Sequence, residues 1–406
     1  MSQIEKAREE FPLLKKKDVV YLDNGATTQR PQCVLDAVEE FYENKNANPM
    51  RGLYEISIAA TEAYEAAREK TARFIGAKDP ASVIFTRNAS ESLNLVAYSY
   101  ALSVLSEGDE IILSIAEHHS NFLPWQMAAK AKGAIVKFYE CEKDGSFDPE
   151  KLESLLSPRT KLLAITQMSN LFGRRNDLKT FASLIHEKGG VIVADGAQSV
   201  PHGIVDVAAD DLDFFAFSGH KMYAPLGIGV LYGKMELLEK MPPFLYGGEM
   251  IETVTKERAT YAEVPHKFEA GTVNAGGAVG LSAAIDFMER YGRTEIERKE
   301  LALTKRLFDR LNEIPYVSIY GAEKPEDHHG ICTFALEGVH PHDVAQILSD
   351  QGICVRAGHH CAQPLHRHLG VMSTTRASLA FYNNEEDIDR FAEALSGIRK
   401  KMGYEN

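Results

Sequence analysis

Two strand-like runs end in residues able to do chemistry. VIVAD (Val191–Asp195) closes on an acid. A carboxylate at the end of an apolar run is costly unless a cation or a donor meets it. A protonated ring nitrogen, a metal ion or a helix N-terminus would each serve. DFFAFS (Asp213–Ser218) runs straight into Gly219-His220-Lys221. Lys221 is either a surface charge at a strand exit or a partly buried amine. Burial would lower its pKa and make it a good Schiff-base nucleophile.

Further candidates flank these two. Asn88-Ala89-Ser90-Glu91 follows the run SVIFT, and Asn88 and Glu91 have capping-box spacing. A helix N-terminus with free N–H groups and hydroxyls is a phosphate cradle, and equally a plain helix cap. Ser218 and His220 on the lysine loop could add phosphate contacts. His118 could stack on a planar ring or be an ordinary strand-end histidine. Arg376, in TTRASLAFYN, could clamp a carboxylate in a bidentate fork or lie on the surface. GHHCAQP (Gly358–Pro364) sets His359 and His360 against Cys361, which leaves a metal site, a reactive thiol and a structural cysteine all open. Asp195 with Lys221 suits pyridoxal 5'-phosphate (PLP): the acid keeps the ring nitrogen protonated and the ring becomes an electron sink. A dinucleotide reading is weaker. No G-x-G-x-x-G opens a helix, and Gly227-Ile228-Gly229 reads as part of a strand.

These residues need a scaffold, and the chain supplies one in its periodicity. Short doubly apolar runs (SVIFT, DEIILSI, AIVKFYE, KLLAITQMS, VIVAD, DFFAFS) alternate with helical patterns. That alternation predicts a buried, mainly parallel sheet covered by helices, with ligands beyond the carboxyl ends of the strands. From Gly276 the pattern changes. Two helices are predicted, then strands in VSIYG, GICTFAL and GICVRAG, with HDVAQILSDQG as a helix and EEDIDRFAEALSGIRKKM as a closing helix. The expected division is a large domain over 15–293 and a smaller α+β domain over 294–406, joined by the segment 1–14.

Composition bounds the setting. The chain has 406 residues and a formal net charge of −13, which argues against nucleic acid and anionic membranes as general partners. No leader-like or membrane-spanning apolar run is apparent. Five scattered cysteines, without a CxxC pair, suggest a reducing, cytoplasmic setting and no common thiolate zinc site.

YLDNGATTQRP, TRNASESLNLV, EHHSNFLPWQ, VADGAQSVPH, FSGHKMYAPLGIGVLYG, FEAGTVNAGG, RAGHHCAQP and TRASLAFYN together resemble, in order and spacing, the class V aminotransferase family of PLP enzymes. Within it they resemble the group II, SufS-type cysteine desulfurases, over nearly the whole chain. The resemblance implies a PLP-dependent transferase fold of type I: a large three-layer α/β/α domain plus a smaller C-terminal α+β domain. It implies that Lys221 holds the cofactor, Asp195 meets the pyridine nitrogen, Gln198 meets the phenolic oxygen and His118 stacks on the ring. Ala89, Ser90, Ser218 and His220 would bind phosphate. Thr272 would reach the phosphate of a neighbouring subunit, giving a homodimer with shared sites. Arg376, with Asn170 and Arg356 beside it, would bind the carboxylate of L-cysteine. Cys361 would take the sulfur as a persulfide, leaving alanine, and an acceptor of the U or E type would pass it to iron–sulfur cluster assembly.

His342, in GVHPHDVAQ, would be the acceptor-facing residue, resembling the stretch by which SufS-type enzymes engage a zinc-bearing U-type acceptor; it is equally a helix-start histidine. The chain departs from its relatives in two places expected near the substrate entrance. Met50-Arg51-Gly52-Leu53-Tyr54 stands where two histidines are usual, and Arg174-Arg175 where neutral residues are usual. Selenocysteine lyase or cysteine-sulfinate desulfinase is the alternative on the same scaffold. A catalytically lapsed binding protein and a zinc hydrolase are the other rivals. The zinc reading is disfavoured because neighbouring histidines on a strand point to opposite faces.

Overall fold

A computed structural model describes residues 4–404. The first three residues of the segment 1–14 and the last two of the segment 294–406 lie outside the described residues.

The apolar runs form one seven-stranded sheet in the order Val83–Thr86, Gly229–Gly233, Phe214–Ser218, Val191–Asp195, Thr160–Thr166, Glu110–Ser114, Ile135–Tyr139. Five of these strands run parallel, from Phe214–Ser218 to Ile135–Tyr139, and Gly229–Gly233 is antiparallel to both its neighbours. Side chains alternate between two apolar layers. Ile112, Leu163, Ile192 and Phe215 face one layer; Ile111, Leu113, Leu162, Val193 and Phe214 face the other. Burial on both faces explains why the strands read as continuous apolar runs rather than alternating ones.

The glycines of GGAVG have a packing reason. In helix Ala275–Tyr291, a Cβ on Gly276 would come within 2.7 Å of the Tyr42 hydroxyl, and one on Gly280 within 2.4 Å of Pro225. The helix therefore sits close against helix Gln32–Asn44. Gly292, at φ 83°, turns the chain into helix Arg293–Asn312.

A second, four-stranded sheet is wholly antiparallel, in the order Val317–Tyr320, Ile331–Leu336, Thr374–Ser378, Arg356–Gly358. It packs on Leu303, Leu307, Val344, Leu348, Phe391 and Leu395, and Val20 and Leu22 join that core. Three sequence expectations are corrected. GICVRAG is two short strands, not one: Ile353–Cys354 pairs with Val20–Tyr21, then Arg356–Gly358 joins the four-stranded sheet. The closing helix breaks at Gly397 into Glu385–Ser396 and Ile398–Lys401. Gly227 and Ile228 precede the strand that begins at Gly229, and Gly227 turns at φ 77°. No helix among the described residues is long and apolar enough to cross a membrane.

Candidate active site

The carboxyl ends of the central strands and the second sheet enclose a cleft of about 230 Å³. Ala89, Ser90, His118, Asn170, Asp195, Ser218, His220, Lys221, Arg356, Cys361 and Arg376 all line it, joined by Gly25, Ala26, Ser120 and His360. Local folding accounts for each wall. Thr166 pairs in register with Asp195, so strand Val191–Asp195 delivers its acid at the sheet's end. Three residues beyond the end of the neighbouring strand Phe214–Ser218, Lys221 closes a single turn of 3-10 helix.

Asp195 is 4% exposed, and its Oδ1 accepts from Ala197 N at 2.9 Å. Burial raises its pKa, opposed by that N–H and by the charge of Lys221. Burial pushes the Lys221 amine down to about 8, with Asp195 pulling the other way and Arg376 reinforcing the fall. A lysine so placed is a nucleophile near neutral pH. Burial and the charge of Lys221 hold the His118 imidazole down to about 3, so it is neutral; its Nδ1 accepts from Ser120 N at 3.1 Å.

At the cradle, the Asn88 side chain caps Glu91 N at 3.0 Å. The reciprocal half of the expected capping box is absent: the Glu91 carboxylate takes Arg87 N at 2.6 Å, one residue too early. Ser218 Oγ accepts from Ala89 N at 2.9 Å, and the Ser90 and Ser120 hydroxyls meet at 2.5 Å. His220 Nδ1 is buried without a hydrogen-bond partner.

Arg376 is far from the surface, at 2% exposure in strand Thr374–Ser378. Its Nη1 donates to Asn170 O at 2.8 Å, its Nη2 lies 3.4 Å from Asp23 Oδ1, and its Nε has no partner. Cys361 is half-buried. Neither histidine pair lies on a strand, contrary to expectation. His359-His360-Cys361 forms a turn in which His360 and Cys361 take φ 48° and 56°, and His118 caps the short 3-10 turn His119–Asn121.

Three expected residues stand outside the lining. Gln198 lies behind it, its Nε2 spent on Gly25 O at 2.8 Å and its Oε1 buried and unpartnered. Thr272 is exposed and lines a separate groove with Arg87, Glu91 and Asn274. His342 is exposed on helix Pro341–Ser349, its Nε2 3.7 Å from where a Cβ on Gly358 would sit.

The departures are also away from the cleft. Arg174 pairs with Asp144 at 3.0 Å, and Arg175 donates to Ile204 O at 2.9 Å with Glu297 at 3.6 Å. Their added charges are met by acids and a carbonyl rather than offered to a substrate. Among Met50–Tyr54, Arg51 pairs with Glu249 at 2.6 Å, while Leu53 is 95% exposed.

Sequence reasoning missed Ser120, Gly25 and Glu117. Ser120 follows the histidine pair, and Gly25 lies in NGATT, so a signal existed for both. Glu117 gave none. It is fully buried, accepts from Ser114 Oγ, Asn121 Nδ2 and Thr166 N at 2.5–2.7 Å, and is pushed up to about 8 chiefly by burial. It ties the His118 loop to the strand beside Asp195.

Known proteins resemble this chain over nearly its whole length. The chain is 47% identical to a probable cysteine desulfurase of Halalkalibacterium halodurans over 97% of both chains. It is 45% identical to a cysteine desulfurase of Pectobacterium carotovorum over 98% of this chain and 99% of the relative. Among solved structures, the cysteine desulfurase CsdA of Escherichia coli, in an S-sulfonic acid form, superposes with a TM-score of 0.92 at 40% identity, over 99% of both chains. The apo cysteine desulfurase of Thermococcus onnurineus does so with a TM-score of 0.95 at 40% identity, again over 99% of both. The family described as Aminotransferase class-V matches residues 20–391, and this chain belongs to it.

Proposed function

We propose that this chain is a PLP-dependent cysteine desulfurase, converting L-cysteine to L-alanine with transfer of sulfur to Cys361. The observation that carries the reading is that a half-buried thiol, a lysine amine whose pKa is lowered by desolvation and a buried arginine share one cleft with a buried acid at a strand end.

The residues present fit the cofactor. Lys221 offers an amine suited to an aldehyde, and Asp195 a buried carboxylate suited to a protonated ring nitrogen. The orphaned Nδ1 of His220 and Oε1 of Gln198 are buried polar atoms that await a partner. N–H groups and hydroxyls of Ala89, Ser90, Ser120 and Ser218 suit a phosphate. When bound, PLP supplies an electron sink that stabilises negative charge at the substrate Cα.

The protein's own groups do the rest. Arg376, with Arg356 and Asn170 beside it, orients the substrate carboxylate. Lys221, an amine of pKa about 8, takes and returns the Cα proton. His118, neutral on the cleft wall, would offer the ring a flat face without adding a cation to the site. The Cys361 thiolate then attacks the substrate sulfur: an S–S bond forms, the C–S bond breaks, and its electron pair stays with the carbon that becomes the alanine methyl. Cys361 is left as a persulfide.

Two finer points belong to the same proposal. Thr272, exposed and outside the cleft of its own chain, reaches the phosphate of a second copy, so the enzyme works as a homodimer with shared sites. His342, exposed beside Gly358 and near the Cys361 turn, faces a sulfur acceptor of the U or E type that feeds iron–sulfur cluster assembly. Five free cysteines suit a reducing cytoplasm.

The test is Cys361→Ala. It should retain the bound yellow cofactor and lose alanine production from L-cysteine. Undiminished alanine production in that variant would overturn the assignment of Cys361 as sulfur acceptor.

A further inference from the structure

Two consecutive non-glycine residues with positive φ, His360 and Cys361, carry the reactive thiol. Each costs of order 1–3 kcal/mol and persists only where surrounding contacts hold it. The contacts are specific. Asn170 Nδ2 donates to His360 O at 2.7 Å, the His360 ring Nε2 lies 3.0 Å from Thr374 Oγ1, and Ala362 N closes on His359 O at 2.8 Å.

The remaining contacts come from one residue of the loop that carries His118. His119 N donates to Cys361 O at 2.7 Å, and His119 Nε2 accepts from Gln363 N at 3.2 Å. Gln363 opens helix Gln363–His368, and the N-cap residue, Ala362, has no side chain able to cap it. The first N–H groups of a helix lack intrahelical partners, and a Ser, Thr, Asp or Asn usually meets one of them. Here an imidazole from another loop does so. That loop also carries His118 on the cleft.

We propose that His119 is a positioning residue for Cys361: its Nε2 pins the start of helix Gln363–His368, so that the strained turn presents the thiol to sulfur held in the cleft. The role needs an unprotonated Nε2. Burial and the charge of His359 both lower the His119 pKa, which keeps that nitrogen an acceptor. His119 is half-buried and does not line the cleft, so it acts through the turn and touches no reacting atom.

The inference rests on the desulfurase reading above. Its test separates position from reactivity, because the main-chain bond from His119 N survives any non-proline substitution there. In the holoenzyme His119→Ala, single-turnover persulfide formation on Cys361 with L-cysteine should fall roughly 100-fold, the scale on which a misplacement of about 1 Å acts. Alkylation of Cys361 by iodoacetamide, a small diffusing reagent, should stay at or above the wild-type rate. His119→Gln, whose Oε1 can accept the same N–H, should restore most of the persulfide formation. Wild-type persulfide formation in His119→Ala would overturn the proposal. So would a parallel loss of alkylation, which would mean altered thiol chemistry, or a His119→Gln variant as impaired as His119→Ala. If the wild-type enzyme itself formed no persulfide, the desulfurase reading would fall, and this proposal with it.

Discussion

Arg356 and Arg376 stand directly opposite each other on adjacent antiparallel strands, and both line the cleft. Like charges in register on one face repel. Arg376 is held by Asn170 O and Asp23, and Arg356 is exposed. The pair makes a cationic wall that an anionic carboxylate relieves. The substitution Arg376→Lys should raise KM for L-cysteine tenfold or more, about 1.4 kcal/mol, because a lysine cannot reproduce the planar fork. Arg356→Lys should change KM less, since that side chain is free to readjust. Steady-state kinetics on the two variants checks the order.

Gly25 packs against the same guanidinium. A Cβ there would lie 3.1 Å from Arg376 Cζ and Nη2. Gly25→Ala should therefore push the arginine aside and raise KM with little change in bound cofactor. An unchanged KM would show that Arg376 is not held by this contact.

Gly229 carries a comparable constraint on the other side of the cleft. A Cβ there would fall 2.4 Å from Asn88 Cα, and backbone cannot yield as a flexible side chain does. Overpacking of this kind costs about 1–3 kcal/mol. Gly229→Ala should displace the Asn88–Ser90 segment and weaken PLP binding roughly tenfold, read by titrating cofactor into the apoprotein.

Lys221 gives a pH signature. Its folded pKa is about 8 against an ordinary lysine value of 10.5. Below pH 8 the cofactor-free fold carries a buried charge that the unfolded chain keeps solvated. As pH rises from 8 toward 10.5 the folded amine is neutral while the unfolded one is still losing its proton, so the penalty shrinks. Lys221→Met should raise the Tm of the cofactor-free protein at pH 7, and the gain should fade toward pH 10. A gain independent of pH would count against a desolvated amine.

Arg68 and Glu269 form a paired, fully buried bridge at 2.7 and 2.8 Å, and Glu269 also takes Tyr64 OH and Phe85 N. Arg68→Leu would leave that carboxylate uncompensated. A loss of about 3–5 kcal/mol is expected by urea denaturation, because an unpaired buried charge costs more than the pair returns.

Much of the architecture was legible because it is local. A run such as VIVAD is apolar on both faces whatever surrounds it, and its length and flanking residues identify a buried strand. The breaks were less visible. Nothing periodic marks Val355, where GICVRAG leaves one sheet and joins another, since both halves are equally strand-like. The capping spacing at Asn88 and Glu91 was real, yet Glu91 found Arg87 N instead of its expected partner. Arg174 and Arg175 were expected near the substrate entrance with no role to read from sequence, and only the fold supplied their distant partners Asp144 and Glu297.

The sequence by itself determined which chemical groups the chain owns and which strand ends carry them: Asp195 and Lys221 follow runs whose burial is written in their composition. Tertiary structure decided which of those groups meet. It set Arg356 opposite Arg376 by strand register, put Thr272 outside its own cleft, buried Glu117 beneath the site, and held Cys361 in a left-handed turn braced by His119. Those relations depend on contacts between residues far apart in the chain, and on backbone strain that only such contacts can sustain.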